Sequence, residues 1–276
     1  MKTFDAHCDT LCRILDEGET LENNTFHIDL KRLGENHTQI FACFISPEYS
    51  KEALDRFLEL AHIFHKNGER GILSIENGDL ITSLSVITML KKMGVRIIAP
   101  VWNFPNHLAE GVLGNPEKGL TEFGKRVILE LNKENILIDY SHMNDKSFFD
   151  SAKISSAPII ATHSNSRKIC SNPRNLTDEQ FKMIIKTQGC TGINFYPPLL
   201  SDRPTAGICD ILNHIEHFLS LGGEDNIGFG SDFDGVDALP EGIGDCRDTY
   251  KIINKMGRIG YSDALIEKIY YKKTVC

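Results

Sequence analysis

The stretch "LIDYSH" at residues 137–142 and the stretch "IIATHS" at residues 159–164 indicate the fold of this protein. Each is a short apolar run that closes on a histidine, His142 in the first and His163 in the second. Short runs of apolar and β-branched residues between turn signals are typical of buried strands. Because strands buried on both faces belong to parallel sheets, both imidazoles are expected at one rim of such a sheet.

Two further stretches repeat the pattern near the two ends of the chain. "TFDAHCD" at residues 3–9 reaches His7 and then Asp9, and "IGFGSDFDG" at residues 227–235 runs into Asp232. A potential metal ligand therefore follows the apolar run in each of the four stretches. We expect these side chains to gather at the same rim of the sheet.

Eight strands are predicted on the same criteria, and helical patterns with apolar residues at i, i+3 and i+4 separate most of them. The predicted strands cover residues 2–6, 39–45, 72–75, 96–101, 136–141, 158–162, 190–195 and 227–230.

Several of the helical patterns have recognisable ends. Residues 50–68 begin on Ser50, a candidate N-cap, and end on a glycine, while residues 121–135 begin on a threonine. Thr177 precedes Gln180 by three residues, which is the spacing of a capping box. These ends support helices between the predicted strands.

Alternating strands and helices, with strands that are almost continuously apolar, predict an α/β protein with a (β/α)8 TIM-type barrel. We interpret residues 1–276 as one domain, because no linker, repeat or low-complexity stretch divides them. The alternative is an open doubly wound sheet, which usually has a Gly-rich phosphate loop after an early strand. The Gly-rich run "GFGSDFDG" instead follows the last predicted strand, and its two aspartates would repel phosphate.

The composition excludes several classes of partner. The net charge is −8 and no Lys/Arg block occurs, so nucleic acid is not an expected partner. The N-terminal "MKTFDAHCDT" has no apolar signal core, and no run of about 18 apolar residues occurs, so we expect a cytoplasmic protein without a membrane partner. The eight cysteines form no CxxC pair and are expected to be mostly buried thiols.

In a (β/α)8 barrel the C-terminal ends of all strands point to one face, where the active site lies. Six potential ligands follow five of the predicted strands, namely His7, Asp9, Glu76, His142, His163 and Asp232. Neutral imidazoles combined with carboxylates suit zinc and similar divalent ions. Six donors exceed what one tetrahedral zinc needs, and they fit two ions about 3.5–4 Å apart with a bridging carboxylate.

Taken singly, each of these signals is weak. A histidine at a strand end is more often a hydrogen-bonded structural residue, and a second HxD, "HID" at residues 27–29, occurs in the connection before the second strand. We predict that this second motif forms a local turn or cap. Joint placement at five strand ends is what distinguishes the six predicted ligands.

The sequence also resembles the renal (membrane) dipeptidase family of the amidohydrolase superfamily. The similarity runs from Phe4 to about Asp237, and the run "THS…R…PRN" followed by "GSDFDG" is its most specific part. The matching motifs are "DAHCDT", "SIENGD", "VWNFPNHLAEG", "IDYSH", "ATHSNSRKICSNPRNLTDEQ", "GINFYPP" and "GFGSDFDGV". The resemblance implies a (β/α)8 barrel with two zinc ions that hydrolyses dipeptides and tolerates a D-residue at the C-terminal position. Such relatives are often dimers, which implies a homodimer.

The resemblance also implies a role for each of the six ligands. His7 and Asp9 would bind the first ion, and Glu76 would bridge the two ions. The second ion would be held by His142 and His163. Asp232 would bind the first ion, contact the bridging water, take its proton and deliver it to the leaving amine. The nucleophile would be a metal-activated hydroxide.

Three further residues are candidates for substrate binding. Arg174 matches the arginine of the family that holds the substrate carboxylate, although an exposed arginine at a helix entry is the alternative. Asn103 stands where mammalian members have a substrate-binding histidine, and its amide can donate to a carbonyl oxygen or oxyanion without carrying charge. Tyr196 could line the pocket or simply pack against its neighbours.

Two departures from the family leave other functions open. Asn103 is one, and the other is the end of the chain at "YYKKTVC", where members usually continue beyond the last helix. A deacetylase or lactonase could use the same metal site, and a metal-binding homologue with weakened catalysis could retain the ligands. Arg174 favours a substrate that carries a carboxylate.

Overall fold

Eight parallel strands form one sheet in a computed structural model of the protein, which describes residues 2–68 and 70–271. The strands are β1 Thr3–Cys8, β2 His37–Phe44, β3 Ile72–Glu76, β4 Val95–Ala99, β5 Leu137–Ile138, β6 Ile160–Ala161, β7 Cys190–Ile193 and β8 Ile227–Phe229. All eight predicted strands are therefore confirmed.

Helices alternate with these strands along the chain. They are α1 Thr10–Glu17, α2 Leu30–Leu33, α3 Ala53–Lys66, α4 Leu84–Lys92, α5 Glu122–Lys133, α6 Asp145–Ile154, α7 Asp178–Lys186, α8 Pro197–Leu200, α9 Ile208–Ser220, α10 Thr249–Arg258 and α11 Asp263–Tyr271. None of the helices within the described ranges combines the length and the apolar character that crossing a membrane requires.

The order of the strands closes the sheet into a barrel. Neighbouring strands follow the order β5-β4-β3-β2-β1-β8-β7-β6, and the two outer strands meet at a parallel bridge between Asp139 and Ile160. The amide of Tyr140 donates to the carbonyl oxygen of Ile160 across this seam at 2.9 Å. The predicted (β/α)8 barrel is confirmed, and the doubly wound alternative is wrong.

β5 and β6 are shorter than predicted because a side chain replaces some of the backbone hydrogen bonds between neighbouring strands. The Asp139 carboxylate accepts the backbone N–H of Ser141 at 3.0 Å and that of Thr162 at 2.9 Å. These amides bond to Asp139 rather than to a neighbouring strand. The chain therefore leaves the sheet at the point where the predicted ligands begin.

Two of the three helix starts agree with the sequence. Thr121 caps α5 by accepting from Gly124, and Thr177 and Gln180 form the predicted capping box at α7. Ser50 does not cap α3, because it lies inside a 3₁₀ helix, Pro47–Glu52, that precedes α3.

The buried side chains divide into two groups. A small inner cluster comes from alternate positions of five strands and fills the barrel, as is usual for this fold: Phe4, Ala6, Ile40, Ile97, Ile160 and Cys190. The larger outer core lies between strands and helices and includes Cys8, so this thiol points away from the barrel axis. The register between β1 and β2 shifts between Asp5 and Cys8, a bulge just before the end of β1.

The last helix packs onto the end of the barrel. α11 contacts β8 and β1, and the ring of Tyr270 lies 5.7 Å from that of Phe229 in an edge-to-face arrangement. Residues 272–276, at the end of the segment that departs from the family pattern, lie outside the described residues.

Candidate metal centre

The strand ends bring all six predicted ligands to one mouth of the barrel. His7 is the penultimate residue of β1, and Glu76 is the last residue of β3. The others follow β1, β5, β6 and β8 within a few residues. His7, Asp9, Glu76, His142 and His163 are each at most 6% exposed, and the Asp232 side chain is 14% exposed.

Glu76 lies between two of the imidazoles. Its Oε2 is 2.9 Å from Nε2 of His7, and its Oε1 is 2.7 Å from Nε2 of His142. Nε2 of His142 is in turn 2.8 Å from Nε2 of His163. One carboxylate therefore contacts both sides of the cluster, as a bridging ligand would.

His7 also lies close to two further carboxylates, those of Asp9 and Asp232. Its Nε2 is 3.4 Å from Oδ2 of Asp9 and 4.0 Å from Oδ1 of Asp232. Two sets of three donors result, each with ligand atoms within 4.8 Å of one another: His7, Glu76 and His163 in one, and His7, Asp9 and Asp232 in the other. Both sets could hold a metal ion.

The protonation of the cluster indicates a missing positive charge. Burial and the nearby Glu76 carboxylate raise the pKa of Asp9 to about 8. Burial, reinforced by the positive charge of neighbouring groups, lowers the pKa of His163 well below its ordinary value, and burial and Arg174 lower that of His142. Burial opposes a charge on His7, but the Glu76 and Asp9 carboxylates raise the pKa of this imidazole well above its ordinary value, so a proton occupies the position where a cation would bind. Two neutral imidazoles, a protonated one and crowded carboxylates fit a site whose divalent cation would displace protons.

Two atoms of the cluster are also left without hydrogen bonds. Nε2 of His7 and Oδ1 of Asp9 are buried and have no partner of suitable geometry in the part of the chain that the structure describes. Glu76 Oε2 does approach His7 Nε2 at 2.9 Å, but away from the direction of a hydrogen bond. Since buried polar atoms are normally paired, these residues fit a bound cation.

A cavity of about 650 Å³ opens above the cluster. Its lining includes apolar side chains such as Phe44, Trp102 and Leu113 and polar ones such as Arg13 and Tyr196. Asn103 also lines the cavity, and its Oδ1 lies 2.8 Å from Nδ1 of His142. Tyr196 lines the cavity, and its role in substrate binding stays a prediction.

Arg174 is buried and lines the same cavity. It is 8% exposed, so the alternative of an exposed helix-entry arginine is wrong. Its Nη1 donates to the carbonyl oxygen of Ser141 and to Oγ of Ser164, while Nε and Nη2 face the imidazole of His142 at 3.1 and 3.0 Å. Burial lowers the pKa of Arg174 to about 10, so the guanidinium remains charged at neutral pH.

The second HxD motif caps a helix, as predicted. Asp29 is the N-cap of α2 and accepts from the amide of Arg32 at 2.7 Å. His27 packs against the loop after β8, where its Nδ1 accepts from the amide of Asp234 at 3.0 Å. Neither residue belongs to the two donor sets.

Three polar residues around the cluster were missed from the sequence. Asn194 donates to Oδ2 of Asp232 at 2.8 Å, and Asp139 and Thr162 lie beneath His7 and His163. The available signal was a polar residue within or just after an apolar run, as in "LIDYSH" and "IIATHS". That signal does not say which distant residue each one contacts.

Comparisons with known sequences match most of the chain. A sequence model of the family described as membrane dipeptidase, peptidase family M19, matches residues 60–275. An uncharacterized protein from the pqqA 5′ region of Klebsiella pneumoniae is 38% identical, over 65% of this chain and 69% of that protein. An uncharacterized dipeptidase of Schizosaccharomyces pombe is 28% identical, over 80% of this chain and 64% of its own length.

A solved structure is similar over almost the full length of both chains. It is a metallo peptidase from Rhodobacter sphaeroides, liganded with a phosphinate mimic of the dipeptide L-Ala-D-Ala. The two folds superpose with a TM-score of 0.89 at 29% sequence identity, over 99% of this chain and 97% of that one.

Proposed function

The chain belongs to the membrane dipeptidase family, peptidase family M19, and from that premise we propose that it is a zinc-dependent enzyme that hydrolyses short dipeptides, L-D pairs included. It is a peptide hydrolase of the metallo-dipeptidase type. The observation that carries the proposal is that the six predicted ligands form one cluster, and that four of them line the same cavity as the buried Arg174, namely Asp9, Glu76, His142 and Asp232.

The two donor sets support two ions. His7, Asp9 and Asp232, one of these sets, would hold the first ion. The other set shares His7 with the first, so at the second ion His163 would act with His142, whose Nε2 lies 2.8 Å from that of His163 and 2.7 Å from Glu76. Glu76 would bridge the two ions, which its separate contacts with His7 and His142 support. Imidazole and carboxylate ligands are typical of zinc. When bound, the ions would lower the pKa of a coordinated water toward about 7 and polarise the scissile carbonyl.

Asp232 would move the proton in this reaction. Its backbone amide donates to the carbonyl oxygen of His7 at 3.2 Å, and its Oδ2 accepts from Asn194 at 2.8 Å. These bonds hold the carboxylate so that Oδ1 faces the cluster, 4.0 Å from His7. From there Asp232 can take the proton of the attacking water and deliver it to the leaving amine.

Arg174 would hold the C-terminal carboxylate of the substrate. Its Nη1 donates to Ser141 and Ser164, and its Nη2 donates one proton to the carbonyl oxygen of His163 at 3.3 Å. Nε and Nη2 also face His142, which contacts Glu76 and Asn103 as well. A neutral imidazole accepts at only one of its nitrogens, so His142 cannot accept from both Nε and Nη2 of Arg174. These two N–H groups can therefore turn to a carboxylate. A planar guanidinium can then bind its two oxygens together.

The walls of the cavity would position the rest of the substrate. Asn103 can donate from Nδ2 to the carbonyl oxygen, a modest contribution from a neutral donor. Tyr196 also lines the cavity, and Trp102 and Leu113 offer apolar contacts to a side chain. The phosphinate mimic bound by the R. sphaeroides relative supports L-Ala-D-Ala as the first substrate to test.

The test is a panel assay with purified, zinc-loaded protein. The panel contains L-L and L-D dipeptides, N-acetyl amino acids and lactones at equal concentration. We expect the dipeptides to have the highest kcat/KM. Preference for N-acetyl amino acids or lactones would instead indicate a deacetylase or lactonase, and zinc binding without turnover of any compound would indicate a homologue that has lost catalysis.

A further inference from the structure

Two buried residues beneath the metal centre have no part in the function proposed above. We propose that Thr162, held by Asp139, is a positioning residue that fixes the tautomer of both His7 and His163, so that each presents the lone pair of Nε2 to the metal. This inference rests on the proposed metal site. It follows from counting the protons in the network.

Asp139 acts only as an acceptor in this network. Its Oδ1 accepts the amide of Ser141 at 3.0 Å, the hydroxyl of Ser141 at 2.5 Å and the amide of Thr162 at 2.9 Å. Its Oδ2 accepts the hydroxyl of Thr162 at 2.5 Å. The hydroxyl groups of Ser141 and Thr162 therefore each use their single O–H as a hydrogen-bond donor to the carboxylate.

Thr162 then has only lone pairs to offer. Its Oγ1 lies 3.1 Å from Nδ1 of His7 and 2.8 Å from Nδ1 of His163. Ser141 Oγ is 3.4 Å away and has no second proton to donate. Because the hydroxyl proton of Thr162 already goes to Asp139, each of these two hydrogen bonds needs a proton on Nδ1. A hydroxyl oxygen can accept two hydrogen bonds, so both Nδ1 atoms are N–H donors.

The consequence lies on the other side of each ring. With Nδ1 protonated, a neutral imidazole carries its lone pair on Nε2, and these are the atoms that face the cluster. Nε2 of His7 is 2.9 Å from Glu76, and Nε2 of His163 is 2.8 Å from that of His142. The opposite tautomer would direct an N–H at the ion. One hydroxyl thus sets two ligands on different strands, and all three residues are buried.

The first test measures zinc affinity in four variants. Removing the hydroxyl in Thr162→Val should weaken binding by about 10- to 100-fold, the usual effect of losing such an outer hydrogen bond, and Thr162→Ser should restore it. Asp139→Asn should resemble Thr162→Val, because the amide adds donors where only acceptors fit. Thr191→Val is the matched control, since it removes a buried hydroxyl that donates to the Ser164 carbonyl at 2.8 Å and not to an imidazole.

The outcomes separate this inference from the proposed function. If the wild type binds no divalent ion, the proposed function fails. If the wild type binds zinc but Thr162→Val binds equally tightly, or if Thr191→Val loses as much affinity, the positioning role is wrong.

A second measurement needs no variant that could unfold. The long-range proton–nitrogen NMR spectrum of the metal-free wild type, labelled with ¹⁵N-histidine, reports the tautomer of each ring directly. We expect His163 to be neutral with its proton on Nδ1, the form opposite to that favoured by free histidine. A spectrum with the proton of His163 on Nε2 would overturn the inference whatever the variants do.

Discussion

Replacing Arg174 with alanine should separate substrates with a free C-terminal carboxylate from those without one. Arg174 is 8% exposed, and its guanidinium, with a pKa of about 10, remains cationic at neutral pH. A hydrogen bond to a charged group contributes about 1.5–3 kcal/mol, and about 1.4 kcal/mol corresponds to a tenfold change. We therefore expect kcat/KM for dipeptides to fall by about ten- to more than a hundredfold.

The assay compares each dipeptide with its C-terminal amide. The wild type should prefer the acid, and Arg174→Ala should lose most of that preference while keeping its zinc. Arg174→Lys should recover only part of the activity, because a point charge cannot reproduce two parallel hydrogen bonds. Arg13→Ala removes the other arginine of the cavity and should change the rates of acid and amide by the same factor.

Arg174→Ala should also destabilise the protein to a small extent. The carbonyl oxygen of Ser141 and Oγ of Ser164 would lose a donor, which costs about 1–3 kcal/mol for a buried acceptor. The kinetic comparison is therefore made below the unfolding transition of each variant. Equal rates on acid and amide in the wild type would contradict the role given to Arg174, and the deacetylase or lactonase alternatives would gain support.

Two further predictions concern metal binding and pH. Glu76→Gln should release most of the metal, because the bridging carboxylate loses its charge toward two cations at once. His27→Ala should leave the metal content unchanged. Elemental analysis measures both, and the opposite pattern would contradict the assignment. His214 is buried and its pKa is lowered to about 4, against 6.5 for the unfolded chain. The unfolded chain thus binds the extra proton, and stability should fall as the pH drops from 6.5 to 4, by about 3 kcal/mol at about 1.4 kcal/mol per pKa unit. Urea unfolding across this range measures the free energy of unfolding of the wild type and of His214→Gln. The variant should lose less stability than the wild type as the pH falls, and equal losses in the two proteins would exclude His214 as the source.

The strands and most helix ends were predictable because they depend on local pattern. Apolar runs locate all eight strands, and short-range capping chemistry locates the starts of α5 and α7. Ser50 was misassigned because the 3₁₀ helix that begins at Pro47 extends past it. A capping residue identified in isolation does not reveal that the preceding residues already form a turn.

The six ligands were predictable because the barrel places all strand ends on one face. The polar residues that contact these ligands were not predictable, because each contact joins residues far apart in the chain. Thr162 contacts His7 across 155 positions, and Asn194 contacts Asp232 across 38. Such pairings follow from the register of the closed barrel. A polar residue at a strand end indicates the site, but it does not identify its partner.

The most direct measurement is a zinc titration of metal-free protein in which the hydrolysis of an L-D dipeptide is followed at each addition. We predict no hydrolysis without metal and a rate that rises until two zinc ions are bound per chain, the number that the six ligands fit. Hydrolysis that persists in the metal-free protein, or protein with two bound ions that cleaves no dipeptide, would contradict the assignment of this chain as a two-zinc dipeptidase.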